Sequence, residues 1–234
     1  MTGVFYGVGV GPGDPELLTV KAVKVIGAAD VIIAPQTEKK EDSTALTIAK
    51  PFLKKDVAVV KMVFPMVFNR EALSEAWEDN KNTILELLAA GKNVIFLTLG
   101  DPMFYSTYIY IFQLLKNCGY PIETVPGVPA FCAIGSRLGY PLAEGDDILT
   151  IIPATIPEEK MDQVLAMTDN VVLMKVYKNY QQVVAKLKRH GLADHAVMIS
   201  RCGLSDEQIV RDLKNIGEQP INYLSTILAR RNKA

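Results

Sequence analysis

Apolar residues along the chain fall into two alternating patterns. Short apolar runs of strand length are separated by stretches in which apolar positions recur every three to four residues. The runs Val4–Val10, Asp30–Ala34, Val57–Met62, Asn93–Leu99, Ile122–Val125, Leu149–Ile152, Asn170–Val176, Ala196–Ser200 and Tyr223–Ala229 read as strands. Helices are expected after Asp14-Pro15, where Leu17, Leu18, Ala22, Val25 and Ile26 form one face, and over 44–53, 69–90, 103–117, 130–138, 158–167 and 180–190. Asp14-Pro15 and Asp101-Pro102 are helix-start signals: a capping side chain, then a residue whose missing N–H costs nothing in the first turn. Gly91 and Gly191 suit helix ends. Residues 39–42 read as a polar loop and 207–217 as mixed.

Strands alternating with helices predict an α/β fold. The pattern divides into two consecutive α/β domains of similar size, 1–118 and 119–234, with Cys118-Gly119-Tyr120-Pro121 as the boundary. No repeat of 20–50 residues and no low-complexity segment is visible. A chain of 234 residues buries about 70% of its unfolded surface, so it needs no disulfide or metal staples.

Charge and cysteine content narrow the function. Lys and Arg total 25 against 26 Asp and Glu, a formal net charge of −1. A nucleic-acid partner calls for a basic surplus, and there is none. An anionic ligand must therefore meet a local cluster. The three cysteines, Cys118, Cys132 and Cys202, are dispersed and odd in number, against a disulfide scaffold and against a zinc site. No basic n-region precedes the first strand, and no apolar run approaches the ~20 residues that span a bilayer, so a cytoplasmic protein without membrane contact is expected.

Three strands end in a Gly/Pro turn that leads into a helix: Gly11–Pro15, Gly100–Pro102 and Pro126–Pro129. In open α/β sheets ligands lie outside the carboxyl ends of strands, where helix N-termini present unpaired N–H groups. One such turn is equally a tight connection; three favour a ligand crevice. Gly7, Gly9, Gly11 and Gly13 alternate, which is not the dinucleotide G-x-G-x-x-G, and no phosphate-binding G-x-x-x-x-G-K-[ST] occurs. His190 and His195 flank a helix end, and Asp146-Asp147 reads as a solvated loop. Tyr105, Tyr108, Tyr110 and Phe112 are spaced as part core and part ligand wall. No HExxH, GxSxG or Cys–base pair is present, so the sequence names no catalytic residue and no metal site. Methyl transfer from a sulfonium suits such a chain, because the cofactor carries the reactivity and the protein aligns the groups.

Gly7-Val8-Gly9-Val10-Gly11-Pro12-Gly13-Asp14-Pro15-Glu16-Leu17-Leu18-Thr19 resembles the opening signature of the tetrapyrrole methyltransferases of cobalamin and sirohaem synthesis. Leu99-Gly100-Asp101-Pro102 and Val125-Pro126-Gly127-Val128 resemble their second and third signatures, in order and over essentially the whole chain. Phe64-Pro65-Met66 and the run from Leu97 to Tyr108 resemble the branch that methylates C-20 of precorrin-2 or cobalt-factor II.

The resemblance implies S-adenosylmethionine held between two α/β domains, a tetrapyrrole substrate, no protein-bound metal and a homodimer. By motif, Pro12 touches the cofactor from the first loop; Gly100, Asp101, Met103, Phe104 and Thr107 surround it from the second. Pro129 and Ala130 line it from the third, and Met174 and Gly203 hold its adenine side. Pro129 stands where many relatives carry Thr or Ser, a departure that bears on a hydroxyl contact. Lys175, Lys178 and Arg201 are candidates by position to meet substrate carboxylates, with solvated surface charge as the alternative reading. Two other readings stay open: a sibling that methylates another ring carbon, and a non-catalytic nucleotide-binding module.

Overall fold

The computed structural model describes residues 2–36, 43–64, 70–213, 216 and 220–231, with the side chains of 70–75 left aside. The polar loop at 39–42, the Pro65-Met66 dipeptide and the start of the helix at Asn69 lie outside the described residues. The chain forms two compact units, Met1–Pro129 and Ala130–Ala234.

The first unit is built on a five-stranded sheet in the order β3-β2-β4-β1-β5, where β1 is Phe5–Gly9, β2 Val31–Gln36, β3 Ala58–Val63, β4 Val94–Thr98 and β5 Ile122–Val125. Every pairing is parallel. Such sheets are covered on both faces, which is why β2 and β4 read as continuous apolar runs. Helices α1 (Val20–Ala28), α2 (Thr44–Ala49), α3 (Arg70–Ala89) and α4 (Tyr108–Leu115) supply the cover. Phe5, Ile33, Val94 and Phe96 form one core with Ile84 and Leu88 of α3 and Tyr108, Ile111 and Leu115 of α4. Ile95 and Leu97 alternate to the opposite face, where α2 contacts β4 and α1 contacts β1.

The division falls after Pro129 and not at Cys118-Gly119. Ile122–Val125 pairs in parallel with Phe5–Val8, so the segment beyond Cys118 is an edge strand of the first sheet. Apolar patterning marks that strand but carries no sign of its partner.

The second unit holds a mixed sheet in the order β6-β7-β10-β8-β9: β6 Leu149–Pro153, β7 Asn170–Met174, β8 Val197–Ser200, β9 Gln208–Val210 and β10 Ser225–Arg230. β6 and β7 are parallel, and β10 runs antiparallel to both β7 and β8. Helices α6 (Glu158–Met167) and α7 (Tyr180–Arg189) bury Met161, Leu165, Val183 and Leu187 against Val171, Leu173, Met198 and Ile227. Helix α5 (Ala130–Leu138) contacts β10. Strand β9, at the sheet edge, lies within the segment expected to be mixed. Among the described residues no helix is long and apolar enough to cross a membrane.

Candidate active site

In the first sheet β1 and β4 are neighbours, yet the chain leaves β1 toward β2 and leaves β4 toward β5. The first connection passes β4 and the second passes β1, so the two loops cross at the carboxyl end of the sheet, the place where open α/β sheets bind ligands. Three loops lie at this end: Val10–Thr19 after β1, Leu99–Thr107 after β4, and Pro126–Pro129 after β5.

Backbone contacts bind these loops together. Val10 N–H donates to the Thr98 carbonyl at 2.9 Å, and Gly100 N–H donates to the Gly11 carbonyl at 2.8 Å, forming an antiparallel bridge beyond the strand ends. A Cβ on Gly9 would stand 2.6 Å from the Gly100 carbonyl oxygen and 2.6 Å from the Gly127 nitrogen. A Cβ on Gly127 would stand 2.2 Å from that same oxygen. Three backbone segments therefore meet where only glycine fits.

Asp101 completes the junction. Its Oδ1 accepts from Met103 N–H at 2.8 Å and its Oδ2 accepts from Gly127 N–H at 3.0 Å. One carboxylate thus orders its own turn and holds the third loop against the second. The expected helix start at Pro102 is a turn instead: α4 begins at Tyr108, and Ser106 Oγ donates to the Pro102 carbonyl in between. Asp14 behaves similarly, accepting from Glu16 N–H at 2.9 Å to cap the short 3₁₀ turn Pro15–Leu17. Helix α1 then starts on a separate cap, with Thr19 Oγ1 accepting from Ala22 N–H at 3.1 Å.

Pro12, Gly100, Asp101, Met103, Phe104, Thr107 and Pro129 all lie on these three loops at one end of the first sheet. Pro12 and Gly100 are buried, while Met103 is 51% exposed. Ala130 opens α5 in the second unit. Met174 ends β7 and Gly203 follows β8, so both lie at the carboxyl ends of strands in the second sheet. Gly203 N–H donates to Glu207 Oε2 at 2.7 Å, and Glu207 Oε1 accepts from Arg137 Nε at 2.7 Å. The buried Cys202 thiol, between Arg201 and Gly203, is pushed up to about 11 by desolvation, so it stays protonated at neutral pH and is no nucleophile. His190 Nε2 lies 3.0 Å from Asp162 Oδ1, and the backbone carbonyl of His195 accepts from the Tyr140 hydroxyl at 2.7 Å.

Two observations bear on a ligand at this end of the first sheet. Gly100 has φ +71°, and a Cβ built there meets nothing within 4 Å, so its Cα faces open space at the bridge. Thr98, the last residue of β4, is 6% exposed, and its Oγ1 has no hydrogen-bond partner among the described residues. Buried hydroxyls in native proteins are nearly always satisfied. An unsatisfied one beside an open glycine suits a ligand with both polar and apolar parts, as S-adenosylmethionine is. Sequence reasoning passed over Thr98, although it is the single polar residue in Val94–Leu99.

Comparison with known proteins gives the family. The family model for Tetrapyrrole (Corrin/Porphyrin) Methylases matches residues 4–216. The cobalt-precorrin-2 C(20)-methyltransferase of Salmonella typhimurium is 37% identical over 232 residues, covering 99% of this chain and 98% of that protein. The precorrin-2 C(20)-methyltransferase of a Sinorhizobium species is 32% identical over 234 residues, covering 97% and 94%. Among solved structures, cobalt precorrin-4 methyltransferase superposes with a TM-score of 0.75 at 26% identity, covering 97% of this chain and 94% of that one. With the loop signatures, the two-sheet fold and a match over nearly its whole length, the chain belongs to the tetrapyrrole methylase family.

Proposed function

We propose that this protein transfers a methyl group from S-adenosylmethionine to the C-20 meso carbon of a precorrin-2-type tetrapyrrole in cobalamin biosynthesis. The observation that carries the reading is 37% identity across 99% of the chain to a protein named for that position of methylation. Pro12, Gly100, Asp101, Met103, Phe104, Thr107, Pro129 and Ala130 are the proposed contacts on the three loops, with Met174 and Gly203 on the second unit. The same reading makes the protein a cytoplasmic homodimer with no metal of its own.

When bound, S-adenosylmethionine supplies an electrophilic methyl on a sulfonium. The remaining work belongs to the chain. The Gly9–Gly100–Gly127 junction brings the backbone close enough to shape the crevice, and Asp101 keeps two of its loops in register. The Thr98 hydroxyl is available to donate to a ligand acceptor. Such a site acts through alignment and exclusion of water. The nucleophile is the enamine-like meso carbon of the substrate, so no side chain has to form a covalent bond.

The test compares turnover of metal-free precorrin-2 with turnover of its cobalt-bearing counterpart, each with labelled donor. Methylation of one or both is expected, and the preferred substrate assigns the route. No transfer to either, by folded protein that binds S-adenosylhomocysteine, would contradict the proposal and leave a nucleotide-binding module.

A further inference from the structure

Among the described residues three that are not glycine have left-handed backbone: Tyr105 at φ 49°, Lys175 at φ 58° and Arg201 at φ 55°. Eight glycines take up the same region elsewhere, among them Gly91, Gly139 and Gly191 beyond helix ends. Glycine adopts this conformation without strain, and a residue with a Cβ does not. Beyond the ends of α3, α5 and α7 the chain meets this need with glycine. At these three positions it keeps a side chain against the strain, which is the pattern of a functional site. All three follow the carboxyl end of a strand: Tyr105 in the loop after β4, Lys175 directly after β7 and Arg201 directly after β8.

The two cations share one end of the second sheet. Met174 pairs with Thr226 and Ser200 with Ser225, so only β10 separates Lys175 from Arg201. Two strand spacings put their backbones roughly 10 Å apart. Arg201 is braced by its own N–H, which donates to the Leu224 carbonyl at 2.9 Å, and by Nε, which donates to Asp206 Oδ1 at 2.6 Å. A guanidinium carries five N–H donors, so this leaves donors for a second carboxylate. Beside them Tyr177 and Tyr223 pack edge to face at 5.2 Å, with Tyr223 51% exposed and Lys178 Nζ 5.7 Å from the Tyr177 ring centre. This end of the sheet thus offers cations around an aromatic surface.

We infer that Lys175 and Arg201 bind carboxylates of the tetrapyrrole, with the Tyr177–Tyr223 pair against the macrocycle. The inference rests on the proposed function for its substrate class, a macrocycle rimmed with acidic side chains. The net charge of −1 gives the molecule no overall field to draw in a polyanion, so local cations must do so.

The test is the double substitution Lys175→Gly with Arg201→Gly, which keeps the backbone geometry and removes the side chains. The thermal midpoint is expected to hold or rise, because strain is relieved. The KM for the tetrapyrrole is expected to rise at least tenfold while the KM for S-adenosylmethionine stays within twofold. A second arm needs no turnover: absorbance titration with uroporphyrin, a stable polycarboxylate macrocycle, in the absence of donor. Binding by the parent that weakens at least tenfold in the double variant supports the inference. Equal behaviour of the two proteins toward uroporphyrin, absent binding included, overturns it. If the parent transfers no methyl group, the functional proposal fails separately and the uroporphyrin titration still decides this one.

Discussion

At Gly100 a single hydrogen stands where any other residue would place a carbon. The left-handed φ of +71° already disfavours a β-branched side chain, and the side chain would enter the open space proposed for the cofactor. Gly100→Val is expected to weaken S-adenosylhomocysteine binding more than tenfold, about 1.4 kcal/mol or more, as read by calorimetry. The fold should survive, since backbone strain is on the order of 1–3 kcal/mol and domain stabilities exceed it. Asp101→Asn is not the silent control that a simple capping role would make it. A carboxamide has one acceptor oxygen, so either Met103 N–H or Gly127 N–H is left facing an NH₂ group. A loss of about 1–3 kcal/mol in urea denaturation is expected, together with weaker cofactor binding. Unchanged stability would show that Asp101 does not join the loops. The turn at Gly100 and Asp101 was legible because glycine and a capping acid before proline are explicit turn signals. Lys175 and Arg201 were legible only as charges, because strain in a residue other than glycine leaves no trace in sequence.

Among the elements, the strands and the C-terminal end signals lie where the sequence places them, while both Asp-Pro signals precede short turns and not their helices. Helix α3 ends as Gly91 predicts, with φ +76° and Lys92 N–H donating to the Leu87 carbonyl at 3.1 Å. Helix α4 starts later than its Asp-Pro signal: Asp101 caps only its own turn with one oxygen and holds Gly127, a residue 26 positions away, with the other. That is a tertiary contact, and local capping logic cannot anticipate it. The same limit hides Arg231. Its guanidinium donates to the Leu165 carbonyl at 2.6 Å, the His190 carbonyl at 2.8 Å and the Thr168 carbonyl at 3.0 Å, closing the C-terminal ends of α6 and α7 from the residue after β10. Arg231→Ala leaves those carbonyls without their charged donor. It is expected to destabilise the second unit by about 2 kcal/mol, seen as a lower urea midpoint in circular dichroism. A midpoint equal to that of the parent would remove Arg231 from the account of helix termination.

At the scale of the molecule, each unit carries its own sheet and core, and their electrostatics can be tested by pH. In the second unit Asp162 accepts from Lys186 Nζ at 2.5 Å and lies 3.0 Å from His190 Nε2. The Lys186 hydrogen bond first, and the His190 hydrogen bond after it, hold the Asp162 carboxyl below the usual carboxylate range. A carboxyl depressed in the folded state stabilises it above the ordinary value near 3.9 and loses that stabilisation as pH falls through the lowered one. The stability difference between the parent and Asp162→Asn should therefore be constant near neutrality and shrink in acid. A difference that grows below pH ~4 would reverse the assignment. The α/β class and the halving of the chain were legible from alternating patterns. The division after Pro129 was not, because strand pairing across more than a hundred residues is invisible in periodicity. The central claim concerns where the methyl group goes. Incubation with precorrin-2, its cobalt form and donor carrying a ¹³C-methyl group, followed by NMR of the isolated product, locates it directly. The account predicts one new methyl, attached to C-20. A labelled methyl on any other ring carbon, or no labelled product, would contradict it.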